Sequence, residues 1–248
     1  MNQELTGKAV IVTGASRGIG QAIATRLGKE GALVVVNYAS SEEGATATVA
    51  AIKSAAGSAI ALQADVSNAE DVQRLFEQTI SEFGGVDALI NNAGWKSEDA
   101  PIAKTTDSDF DKMLAVNVRS TFLCSREAEK YLQPGGRIIN FTSIVTRLNR
   151  PNAAVYAAAK AAIEKFTYIH AKELAGRQIT VNAIAPGATD TAMMRQGKTQ
   201  DDIQSIIDNT PMKRLGNPED IADTVVFLLS QQGGWINGQT IHCNGGLG

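Results

Sequence analysis

Short, nearly unbroken apolar runs recur along the chain, separated by longer stretches in which apolar and polar positions alternate with helical spacing. "KAVIVT" (8–13), "ALVVVN" (32–37), "SAIALQ" (58–63), "VDALIN" (86–91), "GRIINFT" (136–142), "ITVNAIA" (179–185) and "GQTIHCN" (238–244) read as strands. Runs of this length without polar alternation belong to strands covered on both faces, as in a parallel sheet. Between them the pattern predicts helices near 18–30, 42–56, 69–82, 106–131, 152–175 and 218–230. Two of these open on capping signals, Ser67-Asn68 before "AEDVQRLF" and Asn217-Pro218 before "EDIADTVVFLL". Strict β/α alternation requires right-handed crossovers and leads to a doubly wound α/β architecture, with helices on both faces of the sheet.

One segment breaks the rhythm. "GATDTAMMRQGKTQDDIQSIIDNTPMKRLG" (187–216) is far longer than an ordinary connection and carries only a short helical pattern at 200–208. Its length and its adjacent Met193 and Met194 mark it as an expected substrate lid. No repeat, low-complexity tract or linker divides the rest, so 1–248 reads as a single domain.

Composition narrows the function classes. The 248 residues are 44% hydrophobic and 20% charged, an ordinary globular balance, and the formal charge of -3 argues against nucleic acid or an anionic membrane as the main partner. No apolar run approaches the roughly 20 residues that cross a bilayer, and "MNQELTGKAV" has no secretory pattern, so a cytoplasmic location is expected. Cys124 and Cys243 lack metal-ligand spacing, and His170 and His242 lack ligand-like neighbours; no metal is expected.

The first β/α junction carries the first chemistry. In "VIVTGASRGIGQAIA", Gly14, Gly18 and Gly20 stand where the first strand turns into the first helix. Such glycines admit a pyrophosphate close to the backbone, and the new helix aims free N–H groups at it. Ser16, Arg17 and Ile19 complete that turn, which reads as the phosphate seat of a dinucleotide. The second strand ends "VVVNYASSEE", with Asn37 where an NAD site usually has a carboxylate; Tyr38, Ala39 and Ser40 follow. Without that carboxylate, and with Arg17 within reach of the same corner, NADP(H) is favoured over NAD(H). Asp65 can accept from an adenine amino group while Val66 offers backbone. Asn92, Ala93 and Gly94 in "NNAG" (91–94) form a small-residue bend with room for a dinucleotide across the strand ends. The picture is that of a single Rossmann-type domain with a parallel seven-stranded sheet in the order 3-2-1-4-5-6-7.

In "NAAVYAAAKAAIEKF" (152–166), an alanine-rich helix places Tyr156 and Lys160 four residues apart on one face. A phenol of ordinary pKa, about 10, releases its proton poorly near neutrality; a neighbouring ammonium is expected to lower it.

Together, "TGASRGIG" (13–20), "DV" (65–66), "NNAG" (91–94), Asn117 in "AVNV", Ser143 in "FTS", "YAAAK" (156–160) and "APG" (185–187) resemble, in identity and order, the short-chain dehydrogenase/reductase family. The chain is similar to 3-oxoacyl-acyl-carrier-protein reductases and to NADPH-dependent carbonyl reductases. The resemblance implies that Tyr156 is the general acid/base, that Ser143 holds the carbonyl oxygen, and that Lys160 bonds the nicotinamide ribose. It implies a relay position for Asn117 and nicotinamide-side contacts from Pro186, Gly187, Thr189 and Thr191. It also implies a homotetramer, in which helices near 106–131 and 152–175 would pack.

The expected reaction is hydride transfer from NADPH to the carbonyl carbon of a ketone or aldehyde, reversible as an alcohol dehydrogenase. Alternatives are a 3-oxoacyl-acyl-carrier-protein reductase, and, in another class, a non-catalytic NADP(H)-sensing protein. Substrate contacts are expected from Ser143, Tyr156, Trp95 and Met193, and from the loop 144–152. Trp and Met suit an apolar carbonyl compound, while Lys96 and Arg147 offer anion recognition.

Overall fold

The computed structural model describes residues 4–248. Seven parallel strands form one sheet in the order β3-β2-β1-β4-β5-β6-β7. They are β1 (Ala9–Val12), β2 (Leu33–Tyr38), β3 (Ser58–Gln63), β4 (Val86–Asn91), β5 (Leu132–Phe141), β6 (Thr180–Pro186) and β7 (Thr240–Cys243). Helices α1 (Gly18–Lys29), α2 (Glu42–Ser54) and α3 (Ala69–Phe83) connect the first four strands. Between β4 and β5 lie α4 (Asp107–Met113), a π-helical turn (Leu114–Arg119) and α5 (Ser120–Tyr131). After β5 come α6 (Val145–Leu148) and α7 (Ala154–Leu174); α8 (Ala192–Arg195), α9 (Gln200–Asn209) and α10 (Pro218–Leu229) follow β6.

Successive strand residues point to opposite faces, so an unbroken apolar run feeds two cores at once. Val10, Val12, Ile90 and Ile139 pack with Ile23 and Leu27 of α1 and with Ile221, Val225 and Leu228 of α10. Ile11, Leu89, Ile138 and Val181 face the other way, onto Leu75 and Phe76 of α3, Leu123 of α5 and Leu174 of α7.

The expected strands and helices are all present, with local differences. β5 begins at Leu132 rather than at 136, because the chain through Pro134 and Gly135 already runs alongside β4. The helix expected over 106–131 is interrupted by the π turn, which carries an extra residue into the helix at Asn117. The segment 187–216 holds two short helices instead of one, the first capped by Thr191, whose Oγ1 accepts from the Met194 N–H at 3.2 Å. Asn68 caps α3 as expected, its Oδ1 accepting from the N–H groups of Glu70 and Asp71. Among the described residues no helix is long and apolar enough to cross a membrane.

Strand order reverses between β1 and β4, which opens a crevice at their carboxyl ends. Two polar residues tie the loops on either side of it. The Thr13 hydroxyl donates to Ile90 O and accepts from the N–H groups of Asn92 and Ala93, both at 3.0 Å. Asn37, at the end of β2, is fully enclosed: its Oδ1 accepts from the Gly14 N–H at 3.2 Å, and its Nδ2 donates to Ala64 O at 3.1 Å and Leu62 O at 3.3 Å. This corrects the expectation that Asn37 faces the cofactor. Its side chain points into the protein, where it braces the glycine turn against β3.

Asn37→Asp should therefore act on stability before cofactor choice. A carboxylate cannot donate to Leu62 O and Ala64 O and would face both carbonyls in a buried setting. The expected loss is about 1–3 kcal/mol or more, read as a lower urea midpoint; a midpoint equal to the parent's would place this side chain outside the interior.

Candidate active site

The Tyr156 helix is positioned by its buried stripe. On α7, Lys160, Ile163, Thr167, Ala171 and Leu174 are buried at spacings of three and four, the period that seats a helix against a sheet. Lys160 lies on this stripe, so its ammonium is carried under the sheet edge rather than into solvent; it is only 4% exposed. There its Nζ donates to Phe141 O at 2.9 Å, at the end of β5. The next residues of that strand lock the helix in register. The Thr142 hydroxyl hydrogen-bonds Lys160 O at 3.1 Å and Glu164 Oε1 at 2.9 Å, and the Thr146 hydroxyl reaches the same Glu164 oxygen at 2.8 Å. Ser143 sits between these two threonines, and its side chain is hydrogen-bonded to Tyr156.

Electrostatics departs from the expectation at one point. Burial pushes the Tyr156 phenol up to about 12, with the Ser143 hydrogen bond pulling the other way. Burial also pulls Lys160 down to about 8. Desolvation, opposed only by Ser143, sets the phenol, and the expected acidification by Lys160 does not appear. The ammonium stands 5.8 Å from the ring centroid and directs a proton at Phe141 O. The phenol is a firmly protonated donor.

Gly94 lies over Lys160 and Asn117: a Cβ there would come within 3.1 Å of Asn117 Oδ1 and 3.5 Å of Lys160 Nζ. The bend is open at this point because it carries no side chain. Asn117 is buried, with Nδ2 donating to Trp95 O at 2.7 Å and Met113 O at 2.9 Å. Its backbone carbonyl accepts from the Thr121 hydroxyl at 2.9 Å. Its side chain therefore staples the loop after β4 to the π turn.

The elements expected to cradle a dinucleotide lie together around the first glycine turn. Gly14 and Gly18 have φ of +62° and +57°, the left-handed region that glycine enters at least cost. A Cβ at Gly14 would lie 3.0 Å from the Ala93 backbone, so a larger residue would push the two crevice loops apart. Helix α1 starts at this turn with no side-chain cap from Arg17 and no acid in its first turn, whereas α2 begins with Glu42 and Glu43 and α3 with Glu70 and Asp71. An uncapped helix start without acids suits an anionic pyrophosphate. Ser16 and Ile19 line this turn, while Arg17, Ala39 and Ser40 are exposed at its outer rim. Tyr38 and Val66 are buried. Asp65 is exposed; its Oδ1 accepts from the Ser67 N–H and hydroxyl, at 2.9 and 2.7 Å, as a turn residue.

Asn92 turns its amide onto Thr13 O at 2.8 Å and Gly14 O at 3.1 Å, so it holds the crevice together. On the far side, Gly187 N–H donates to Cys243 O, Pro186 O accepts from Ile144 N–H, and the buried Thr189 hydroxyl donates to Gly187 O. Thr191 reaches the glycine turn, where a Cβ on Gly18 would meet its methyl at 3.4 Å.

The gap in front of Tyr156 is narrow, about 10 Å³, and is lined by Lys96, Asp99, Met113, Asn152 and Val155 among others. Trp95 and Met193 are not in that lining. The Trp95 ring packs beneath Lys112 of α4, whose Nζ stands 4.3 Å from the ring, and Met193 is half-exposed on α8. A larger hollow of about 410 Å³ lies behind Gly187, between Met212, Asp220, Thr224 and Cys243. Thr13, Thr142, Thr146 and Glu164, which hold the site in register, were not apparent in the sequence: lone hydroxyls and one helix acid carry no motif.

A family model described as enoyl-(acyl carrier protein) reductase matches residues 14–248. An uncharacterized oxidoreductase of Methylorubrum extorquens is 43% identical, covering 98% of this chain and 99% of its own. A 3-oxoacyl-[acyl-carrier-protein] reductase of Staphylococcus epidermidis is 41% identical over 97% of this chain and 98% of its own. The crystal structure of a short-chain dehydrogenase from Burkholderia cenocepacia in complex with NADP superposes with a TM-score of 0.92 at 38% identity, covering 98% of each chain. With its whole length matched in sequence and fold, and with a serine, a tyrosine and a lysine gathered at the open sheet edge, the chain belongs to the short-chain dehydrogenase/reductase family.

Proposed function

We propose that this NADP(H)-dependent enzyme reduces the carbonyl group of a small ketone or aldehyde, with Tyr156 as proton donor. The observation that carries this reading is the hydrogen-bonded Ser143–Tyr156 pair, set beside the crevice between β1 and β4 with the Lys160 ammonium beneath it. A reduced nicotinamide held in the crevice would supply the hydride that the carbonyl carbon takes up. The Tyr156 O–H proton passes to the oxygen, and the Ser143 hydroxyl steadies the charge that develops there. As the phenol gives up its proton, the Lys160 ammonium offsets the phenolate charge in a site of low dielectric. A phenol held near 12 is protonated throughout the neutral range, which suits reduction better than the reverse oxidation.

The NADP bound to the Burkholderia cenocepacia relative supports NADP(H) here, and the exposed Arg17 and Ser40 offer a cation and a hydroxyl for a 2′-phosphate. A second reading, reduction of a carrier-bound 3-oxoacyl thioester, is favoured by the Staphylococcus epidermidis relative. We also infer a homotetramer. Phe122 on α5 and Phe166 and Ile169 on α7 are 47%, 42% and 45% exposed, an apolar face suited to helix packing between copies.

Tyr156→Phe should lower reductase turnover by about 10²–10⁴-fold while NADPH binding, followed by nicotinamide fluorescence, persists; full turnover would remove the proposed acid. In the wild type, Lys160 is cationic below pH about 8 and loses its proton above it, while Tyr156 remains protonated to about 12. The kcat/KM for NADPH-driven reduction should therefore be level up to pH 7.5 and fall by about tenfold per unit beyond pH 8; a level profile to pH 10 would release Lys160 from this role. Phe122→Glu with Phe166→Glu should reduce the mass measured by light scattering to that of smaller species, and an unchanged mass would move the contact elsewhere.

A further inference from the structure

Two cations from distant segments meet at one carboxylate beside the reactive tyrosine, and a third lies near them. Lys96 comes from the loop after β4, and its Nζ stands 2.8 Å from Asp99 Oδ1. Arg150, from the loop before α7, stands 2.5 Å from Asp99 Oδ2. Lys198, between α8 and α9 in the long segment, has no carboxylate within ion-pair distance among the described residues, and its Nζ donates to Met194 O at 2.5 Å. Burial lowers the Lys198 pKa, and the cations Lys96 and Arg150 lower it further, against weaker opposition from Asp99 and Asp202. Asp202 is itself engaged by the Thr199 N–H and hydroxyl in the cap of α9. Glu98 also borders the gap, but it is exposed and outside these ion pairs.

Asp99 is shared between Lys96 and Arg150, and Lys198 nearby is bonded, among the described residues, only to a carbonyl oxygen, so one cation of this group is surplus to the carboxylate that pairs the other two. An arriving anion would give that cation a partner. The surplus lies against the chemistry: Lys96 Nζ is 5.9 Å from the centroid of the Tyr156 ring, and Lys96, Asp99 and Tyr156 line the same narrow gap. Trp95 and Met193, the residues that argued for an apolar substrate, are outside that lining.

We propose that the substrate carries a carboxylate a few carbons from the carbonyl that is reduced, and that Lys96 and Lys198 read it, with Arg150 at the rim. This rests on the carbonyl-reductase reading above. An oxo acid would place its C=O at Ser143 and Tyr156 and its carboxylate among the cations, where it would compete with Asp99 for Lys96 and give Lys198 a counter-ion. Lys96, Arg150 and Lys198 are thus specificity residues for substrate binding, not part of the proton transfer.

The test compares 4-oxopentanoate and 5-oxohexanoate with their methyl esters, which keep the carbonyl and lose the charge. Each is assayed for NADPH oxidation, and each is titrated calorimetrically into NADP⁺-loaded protein. The acids should exceed the esters in kcat/KM and in affinity by tenfold or more, chiefly through KM, and the advantage should shrink with added salt. Lys198→Met and Lys96→Met should each bring the acid-to-ester ratio toward one, while Lys53→Met, at an exposed site in the last turn of α2, should leave it as in the parent. Esters turned over as well as acids, or a ratio that survives both substitutions, would overturn the anion reading and leave the reductase reading standing. Acids that bind more tightly than esters without turnover would uphold the anion site and count against the proposed reaction. Equal or absent binding of both, whatever the turnover, would overturn the anion site.

Discussion

The site is organised around a buried ammonium. Lys160 lies on the stripe of α7 that faces the sheet, and its charge is sustained there by the Phe141 carbonyl at the end of β5. Much of the surrounding geometry serves to place that group. Thr142 bonds the backbone of Lys160 itself, and Glu164, one turn further on, is held by Thr142 and Thr146 from the same loop. Ser143 is thereby fixed between the two threonines, at the height of Tyr156. Gly94 lets the bend after β4 pass close over the ammonium, since a side chain there would fall on Asn117 and Lys160. The same enclosure that lowers the lysine to about 8 raises the tyrosine to about 12, so one physical cause, desolvation, acts on both and leaves the phenol protonated and the lysine charged at neutral pH.

What the sequence disclosed, and what it did not, follows from the range of the interactions. Strands buried on both faces announce themselves as apolar runs, and the reversal of strand order sets the crevice at the first glycine turn. The identities of Ser143, Tyr156 and Lys160 were legible because their order and spacing are distinctive. Side-chain direction was not. Asn37 stands at the right place on β2 to meet a ribose, but its amide turns inward to serve Gly14 and β3. Asn117 similarly serves Trp95 through a π turn, an irregularity of one residue that a helical period cannot reveal. The Lys96–Asp99–Arg150 contact joins residues 51 apart with no shared motif, and it emerges only when the loops are folded together.

The larger hollow and the reactive side chains do not coincide. The roomier hollow, about 410 Å³ behind Gly187, is bordered by Thr224 and Cys243, and burial raises that thiol and leaves it a poor nucleophile. The gap beside Tyr156 offers only about 10 Å³, near the space of one water. The long segment 187–216 contributes no residue to that gap, and its own base is tied together. Thr189 and Gly216 pair as a parallel bridge, with Gly216 N–H on Ala188 O and Asp190 N–H on Gly216 O, so both ends of the long segment are clamped to each other at its base. The stretch between carries α8, Lys198 and α9. Lys198 feels the like charges of Lys96 and Arg150 and the opposite charge of Asp99, so the long segment, the loop after β4 and the loop before α7 are coupled electrostatically although they are far apart in the chain.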